Sequence, residues 1–450
     1  MSSERPRTNP EQSEKRPGSP RTESTPSLAP RARIADAVAR VLLAGIVVAL
    51  VVTVFDEILL PLPGLTLELH YKKLWRVLPL VWLATLLLPA TRATLRPRYH
   101  PSDLPLGIFA AVAAVSIALG GGHWGDFRNL LAGIGVGLMA RSLVTTLDRR
   151  RLLVHAFGLM ILAILAHELW VHPTLLPPHE MGRYDLVTAN PNVLGFLFAM
   201  LLPLLVAEGL ACTGSARGLV GVYVLAALAG TFLTFSRVAA LGAAAGTAVV
   251  VWRALPARTA LLVFATVALA FLALQRPDRW AGLRTEGDTK RVRILATSLS
   301  LAAESPVLGV GFGINNLEKV FPDRYEQRYG ERVFRFHSMN QLLDVLVGAG
   351  IIGAACFLWW AALLGARALG WLRASADRST RARAAGGVAA CVAIAVMSLG
   401  ESPLYHGKIV PLLFLVLAVV EIGPIGGPGS SGVSQSTSAT SSAPPVLPPA

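Results

Sequence analysis

Charged residues and cysteines are both scarce in this chain. Of its 450 residues, 15% are charged and 53% are hydrophobic. The apolar residues form unbroken runs of roughly 17 to 25, a length that crosses a bilayer as a helix, and these runs show almost no polar stripe of the kind a soluble helix carries. The three cysteines, Cys212, Cys356 and Cys391, lie in or beside apolar runs, so no disulfide framework or metal cluster is suggested.

Several catalytic motifs are missing as well. The sequence has no Walker loop, no G-x-S-x-G elbow, no H-E-x-x-H and no pair of aspartates separated by one residue. Nucleotide-driven chemistry is therefore not expected, and neither a metal nor another cofactor is predicted. Basic residues outnumber acidic ones, 41 to 27, but in membrane proteins an arginine excess reflects cytoplasmic loops, so nucleic acid is not expected as a partner.

The apolar runs predict an all-α, polytopic membrane protein of about twelve transmembrane helices. Their positions divide the chain into five parts: a disordered cytoplasmic tail at 1–33, spans one to nine at 34–275, a large periplasmic or extracellular loop at 276–337, spans ten to twelve at 338–422, and a disordered tail at 423–450. A short loop with Asp56, Glu57 and Glu68 is expected after the first span. Arginines cluster in every second short connection, which places both termini in the cytoplasm and the large loop outside.

Four arginines and one histidine on the outer side are the candidate site residues. Arg183 precedes the sixth span, Arg237 lies at the turn before the eighth, and Arg291 and Arg293 lie in the first predicted helix of the large loop. Guanidinium groups match phosphate oxygens and keep their charge when partly desolvated, so converging arginines would suit a lipid-linked pyrophosphate. His337 could accept a proton near neutral pH. The alternatives are arginines that bind headgroups or nearby acids, and a histidine that makes a hydrogen bond at a helix boundary.

Ionisable residues inside apolar spans are costly, so each should have a partner, line a cavity or lie near the interface. These residues are Arg141, Glu208, Asp344 and Glu401. Asp344 would lie two helical turns after His337 on the same face, which makes it a candidate substrate-binding residue; alternatively it satisfies donors of a neighbouring helix. The glycines Gly348, Gly350 and Gly353 are predicted to allow close helix packing rather than to touch substrate.

Four stretches of the chain occur in a fixed order: TANPNVLGFLFAMLLPLL, LTFSRVAAL, RVRILATSLSLAAESPVLGVGFG and HSMNQLLDVLVGAGIIG. Together they resemble the O-antigen ligase and O-antigen polymerase family of bacterial envelope proteins, over about residues 180–365. The resemblance implies a GT-C-like, metal-independent glycosyltransferase in the bacterial inner membrane with an outward-facing site. Such an enzyme moves a glycan from undecaprenyl pyrophosphate to an acceptor hydroxyl, on the lipid A core for a ligase or on a growing glycan for a polymerase.

By position, the resemblance makes Arg237, Arg291 and His337 the catalytic candidates. The arginines would hold the pyrophosphate and stabilise it as it leaves, and His337 would orient or deprotonate the acceptor hydroxyl for inverting attack at the anomeric carbon. Arg183 and Arg293 would bind substrate. Family members often have His-Asn before the following helix, whereas this chain has His-Ser.

Two functions from other classes fit the composition. A transporter or flippase for lipid-linked glycans or anionic solutes would also carry arginines in its core, but it should show an internal repeat. The large loop has no counterpart in the first half of the chain, which favours the enzyme. A structural scaffold subunit would retain glycan transfer when Arg237 is mutated. Membrane lipids are expected partners in every case.

Overall fold

The computed structural model describes residues 28–55, 57–62, 65–120, 122–171, 190–254, 256, 258–259, 286–332 and 338–425. Helices dominate this part of the chain. They are α1 (Leu28–Phe55), α2 (Tyr71–Thr85), α3 (Pro89–Leu95), α4 (Asp103–Leu119), α5 (Gly125–Leu143), α6 (Leu147–Val171), α7 (Pro191–Ala211), α8 (Gly214–Leu233), α9 (Arg237–Ala254), α10 (Glu286–Glu304), α11 (Ile314–Tyr329), α12 (Gln341–Ala374), α13 (Arg378–Met397) and α14 (Ile409–Ile422), with a short 3-10 helix at Pro403–Tyr405.

A two-stranded hairpin follows α1, where a short loop was predicted. Strands β1 (Glu57–Leu62) and β2 (Leu65–His70) pair antiparallel, with Leu62 opposite Leu65 at the turn. The intervening Pro-Gly sequence favours a turn, and the alternating LTLELH pattern favours a strand. The all-α class holds for the described chain, and the hairpin takes the place of the short loop expected here, because a short hairpin gives a much weaker signal than the apolar runs around it.

Within the part of the chain that the structure describes, six helices are long and apolar enough to cross a membrane, and they lie in α1, α6, α7, α8, α12 and α13. Helices α2 and α3, which bend by 115° at their junction, would make a seventh span if they cross together, and α4 and α14 are shorter apolar helices. Most of the ninth predicted span, 260–275, lies outside the described residues. The chain is thus a helical protein with several candidate membrane-spanning segments, and the expectation of about twelve spans stays a prediction.

Small residues let the central helices α7, α9 and α13 pack closely. A Cβ at Gly246 of α9 would lie 2.7 Å from Pro203 Cγ and 2.8 Å from the Ala389 carbonyl oxygen, and one at Gly386 of α13 would lie 2.5 Å from the Ala207 Cβ. Helix α7 is buried along nearly its whole length. Close contacts of this kind are how transmembrane helices associate, since lipid is as apolar as the helices themselves.

Two buried ion clusters join helix ends at one end of the bundle. Glu208 at the end of α7 contacts Arg150 of α6 at 2.6 Å and Arg383 of α13 at 3.2 Å. Arg141 of α5 contacts Asp103 of α4 at 2.6 Å and Glu421 of α14 at 2.8 Å. Ionisable residues inside apolar spans were expected to have a partner, line a cavity or lie near the interface. Arg141 and Glu208 each have a charged partner. These helix ends are the ones that the charge pattern assigns to the cytoplasmic side.

The described part of the large loop, residues 286–332, contains two helices. The predicted first helix is present as α10, whereas α11 was not predicted because its sequence is polar and carries Pro322 inside it. The two helices are held together by ion pairs, Arg293 with Glu331 at 2.5 Å and Arg324 with Glu304. The part of the large loop that the structure describes is therefore a small helical unit against the bundle.

Candidate active site

The first turn of α12 is organised by the buried carboxylate of Asp344, which is 1% exposed. Its Oδ1 accepts a hydrogen bond from the backbone N–H of Ser338 at 2.7 Å, and its Oδ2 accepts one from the Ser402 hydroxyl. Asn340 caps the helix by accepting from the Leu343 N–H at 3.1 Å. One carboxylate thus links the residue that follows His337 to the turn between α13 and α14.

That turn, residues 398–405, is fastened to α12 by backbone and side-chain groups. The Gln341 N–H donates to the Ser398 carbonyl, and the Leu404 N–H donates to Gln341 Oε1, both at 2.9 Å. The Tyr405 hydroxyl donates to the Asp344 carbonyl at 2.8 Å. Because these partners come from two helix ends far apart in the chain, the 398–405 turn and the start of α12 form one rigid unit.

Helix α12 is broken at Gly350, a few turns after the rigid unit at its start. Gly350 has φ 66° and ψ −170°, a conformation that essentially only glycine adopts. The interrupted helix exposes backbone groups to the glycine loop, residues 305–313: the Val310 N–H donates to the Val347 carbonyl at 2.9 Å, and the Ile351 N–H donates to the Pro306 carbonyl at 2.8 Å. Close packing, the role predicted for these glycines, is confirmed at Gly348 and Gly350, which face the glycine loop, and at Gly353, which faces Val112 of α4.

The glycine loop can lie this close to α12 only because Gly309 and Gly350 have no side chain. A Cβ at Gly350 would lie 2.1 Å from the Val307 carbonyl oxygen, and one at Gly309 would lie 2.4 Å from the Val347 carbonyl oxygen. The loop then leads into α11, whose N-terminus lies against the buried carboxylate of Asp126: the Asn315 side-chain amide donates to it at 3.2 Å. A carboxylate at a helix N-terminus is favourable because of the exposed N–H groups there.

Arg237 begins α9, directly after a strained turn. Phe235 has φ 48°, a value that is uncommon for a residue with a side chain, and the Ser236 hydroxyl accepts from the Ala239 N–H at 3.3 Å. Gly195 of α7 lets this turn approach, since a Cβ there would lie 2.8 Å from the Thr234 hydroxyl. The partly buried Arg237 is thus held by backbone geometry and by α7 together.

The start of α9 and the start of α12 lie against the same 398–405 turn. A Cβ at Gly400 would lie 2.5 Å from Val238, the residue after Arg237, while Asn340 Nδ2 donates to the Leu399 carbonyl at 3.4 Å. A second strained residue, Met339 with φ 58°, lies just before α12. Strained non-glycine residues occur often at functional sites, and here both flank the turn that separates Arg237 from Ser338.

The other predicted residues are placed differently. Arg291 is exposed on α10, whereas Arg293 pairs with Glu331 and its guanidinium lies 5.0 Å from the centre of the Tyr329 ring. His337 and Arg183 lie outside the described residues. Ser338, the residue after His337, is described, and its backbone N–H donates a hydrogen bond to Asp344. The roles assigned to all these arginines and to His337 stay predictions.

Glu401 is a further candidate to which the sequence analysis gave no role. It is 2% exposed within the 398–405 turn, and His406 Nε2 lies 3.9 Å from its carboxylate. Among the described residues, neither of its oxygens accepts a hydrogen bond. The only sequence signal was an acidic residue at the boundary of an apolar segment, and its proximity to Arg237 and Ser338 depends on contacts far apart in the chain.

Comparison with protein families finds a match to part of the chain. A family model described as O-antigen ligase matches residues 222–358, which run from α8 to the middle of α12 and include Arg237, Arg291 and Asp344. No curated protein matches the chain. The matched segment holds the glycine loop, the break in α12 and the turn before α9, and it contains three of the four stretches singled out from the sequence. This match supports the assignment of the chain to the O-antigen ligase family.

Proposed function

We propose that this protein is a metal-independent, inverting glycosyltransferase that moves a glycan from undecaprenyl pyrophosphate to a sugar hydroxyl, as an O-antigen ligase does. The acceptor would be the terminal sugar of a lipid A core. The site would face outward from the bacterial inner membrane, with both termini in the cytoplasm. Support comes chiefly from the 398–405 turn, which contacts Val238 beside Arg237 and is hydrogen-bonded to the start of α12 beside Ser338.

In this proposal the chemistry is a single displacement at the anomeric carbon. The acceptor oxygen forms the new glycosidic bond as the bond to the pyrophosphate oxygen breaks, and His337 takes the hydroxyl proton. Arg237 and Arg291 stabilise the negative charge that develops on the leaving pyrophosphate. Arg183 and Arg293 contribute to donor binding, the latter after exchanging Glu331 for phosphate. Inversion follows from one attack on the face opposite the leaving group.

Asp344, first considered as a substrate-binding residue, is proposed to act by positioning. Both of its oxygens accept hydrogen bonds from protein donors, Ser338 and Ser402. A buried carboxylate engaged in this way fixes the backbone next to His337. Asp344→Asn should therefore lower kcat more than it raises KM for the acceptor, because the amide NH2 that replaces one carboxylate oxygen can donate but cannot accept a hydrogen bond.

The test of the proposed function compares two arginines on one helix. Arg237 begins α9 and Arg253 lies near its other end, exposed. Arg237→Ala should reduce glycan transfer by about 10²- to 10³-fold, the usual loss for one transition-state donor, with unchanged protein abundance, whereas Arg253→Ala should transfer normally. Transfer is read from envelope glycan gels of a deletion strain carrying each variant.

The same gels separate the competing activities. Loss of long chains on the acceptor with accumulation of carrier-linked polymer indicates a ligase, and acceptor capped with single repeats indicates a polymerase. Normal glycans in the Arg237→Ala strain at normal abundance would contradict the proposal. Unaltered glycans with lost uptake of a solute would favour the transporter instead.

A further inference from the structure

The buried cluster around Glu208 carries more positive than negative charge. Its single carboxylate is paired with Arg150 of α6 at 2.6 Å and with Arg383 of α13 at 3.2 Å, and both guanidinium groups are almost completely buried. Arg151, which is more exposed, approaches the same carboxylate at 3.8 Å. Among the residues that the structure describes, two buried positive charges thus share one negative charge.

The second buried cluster at the same end of the bundle is balanced. Arg141 pairs with Asp103 and with Glu421, and the half-buried Arg367 donates from Nε to the Glu421 carbonyl oxygen at 2.7 Å. Two guanidinium groups here lie beside two carboxylates. Because a buried charge without a partner is costly, the excess positive charge at Glu208 is expected to have a further negative partner.

The arginines at Glu208 also have donors that Glu208 does not use. Arg150 donates from one terminal nitrogen to Glu208 Oε2, while its buried Nε donates to no described residue. Arg383 directs its Nε to both Glu208 oxygens. A guanidinium has five N–H donors, and buried donors are nearly always satisfied. Arg150 Nε therefore needs an acceptor that the described part of the protein does not supply.

A small cavity lies beside these unused donors. Arg150 and Arg383 both line it, together with Trp371 of α12 and Val420 of α14. The cavity offers about 10 Å³ to the centres of water-sized particles, close to the minimum that holds one water molecule. One monoatomic ion or one water fits this space, whereas a phosphate group with four oxygens is too large. Water would satisfy the donors but would leave the charge unbalanced.

We propose that this cavity binds one monoatomic anion of the halide class, such as chloride, which balances the charge of the Arg150–Glu208–Arg383 cluster. The anion accepts charge-assisted hydrogen bonds from the arginine donors. Because its ligands come together only in the folded bundle, chloride should stabilise the protein in a saturable way. The site lies at the opposite end of the bundle from the candidate active site and does not depend on the proposed transfer reaction.

The test measures the melting temperature of the purified full-length protein in detergent at constant ionic strength, as sodium gluconate is replaced stepwise by sodium chloride, bromide or sulfate. Chloride and bromide should raise the melting temperature along a saturating curve. Sulfate stabilises folded proteins in general because it is excluded from their surface, so a general salt effect would favour sulfate over bromide. In crystals grown in bromide, anomalous diffraction should place one bromide in the cavity.

Three arginine variants connect the chloride response to this cluster. Arg383→Gln removes the excess positive charge and leaves the Arg150–Glu208 pair, so its melting temperature should no longer respond to chloride. Arg150→Gln leaves the Arg383–Glu208 pair and should behave in the same way. Arg367→Gln is the matched control, since it changes an arginine of the balanced cluster, and it should keep the full chloride response. Size-exclusion profiles check the folding of each variant.

Two results would overturn the inference. Equal melting temperatures of the unmodified protein in gluconate and in chloride, or a cavity without bromide, would show that water or a carboxylate of the chain itself fills the space. A chloride response that both Arg383→Gln and Arg150→Gln retain would show that the anion acts elsewhere on the protein.

Discussion

The break in α12 makes a sharp prediction about Gly350. An alanine there would hold its Cβ 2.1 Å from the Val307 carbonyl oxygen and would occupy a conformation that costs a non-glycine residue on the order of 1–3 kcal/mol. The glycine loop would have to move away, which breaks the Val310–Val347 and Ile351–Pro306 backbone hydrogen bonds. At about 1 kcal/mol each, the total loss is roughly 3–5 kcal/mol.

Gly370→Ala is the matched control for Gly350→Ala. It lies on the same helix, meets open space and needs no special backbone conformation, so alanine should be neutral or stabilise by about 0.5–1 kcal/mol. Melting temperatures in detergent and glycan transfer in cells are the two measurements. Gly350→Ala should lower both, and a Gly350→Ala protein as stable and active as the Gly370→Ala protein would refute the proposed packing of the loop on the helix.

Two further predictions concern the opposite end of the bundle. Glu208→Ala leaves the buried guanidinium groups of Arg150 and Arg383 without their shared carboxylate, so stability should fall by about 3–5 kcal/mol, and an unchanged melting temperature would show that the cluster is not formed. Burial, and then the nearby Arg367, lower the pKa of His100 to about 4. The unfolded chain, with a histidine pKa of about 6.5, takes up a proton before the folded one does. His100 should therefore destabilise the fold as pH falls from about 6.5 toward 4. The His100→Gln protein should show a smaller difference in melting temperature between pH 7.5 and pH 5 than the unmodified protein. An equal difference in the two proteins would contradict the role of His100 in the pH dependence.

Long apolar runs made the helices easy to predict. The sixth and eighth predicted spans, 190–211 and 236–254, agree within about a residue with α7 and α9, because only a helix satisfies the backbone of such a segment in a bilayer. The hairpin and α11 were missed for opposite reasons. The hairpin is too short and apolar to stand out from the spans around it, and α11 is polar with a proline in its interior.

The candidate site was less accessible to sequence reasoning. Its residue types could be chosen by chemistry, and Arg237 does begin a helix at a strained turn. The contacts that bring Asp344 together with Ser402, or Gly400 with Val238, join positions about 60 and 160 residues apart, and no local pattern encodes them. The break at Gly350 was also not predicted, because a glycine inside an apolar run is compatible with an intact helix.

The pairing of the glycine loop with the break in α12 has a mechanical consequence. Val347 and Ile351 lie inside an apolar helix, where an unpaired backbone group is unfavourable, and lifting residues 306–310 away would leave the Val347 carbonyl and the Ile351 N–H without these partners. Residues 306–310 should therefore stay packed on α12 during turnover rather than open and close over the site. A bulky amphiphile should enter from the side, between helices, and a cross-link that locks Val307 to α12 should leave turnover intact.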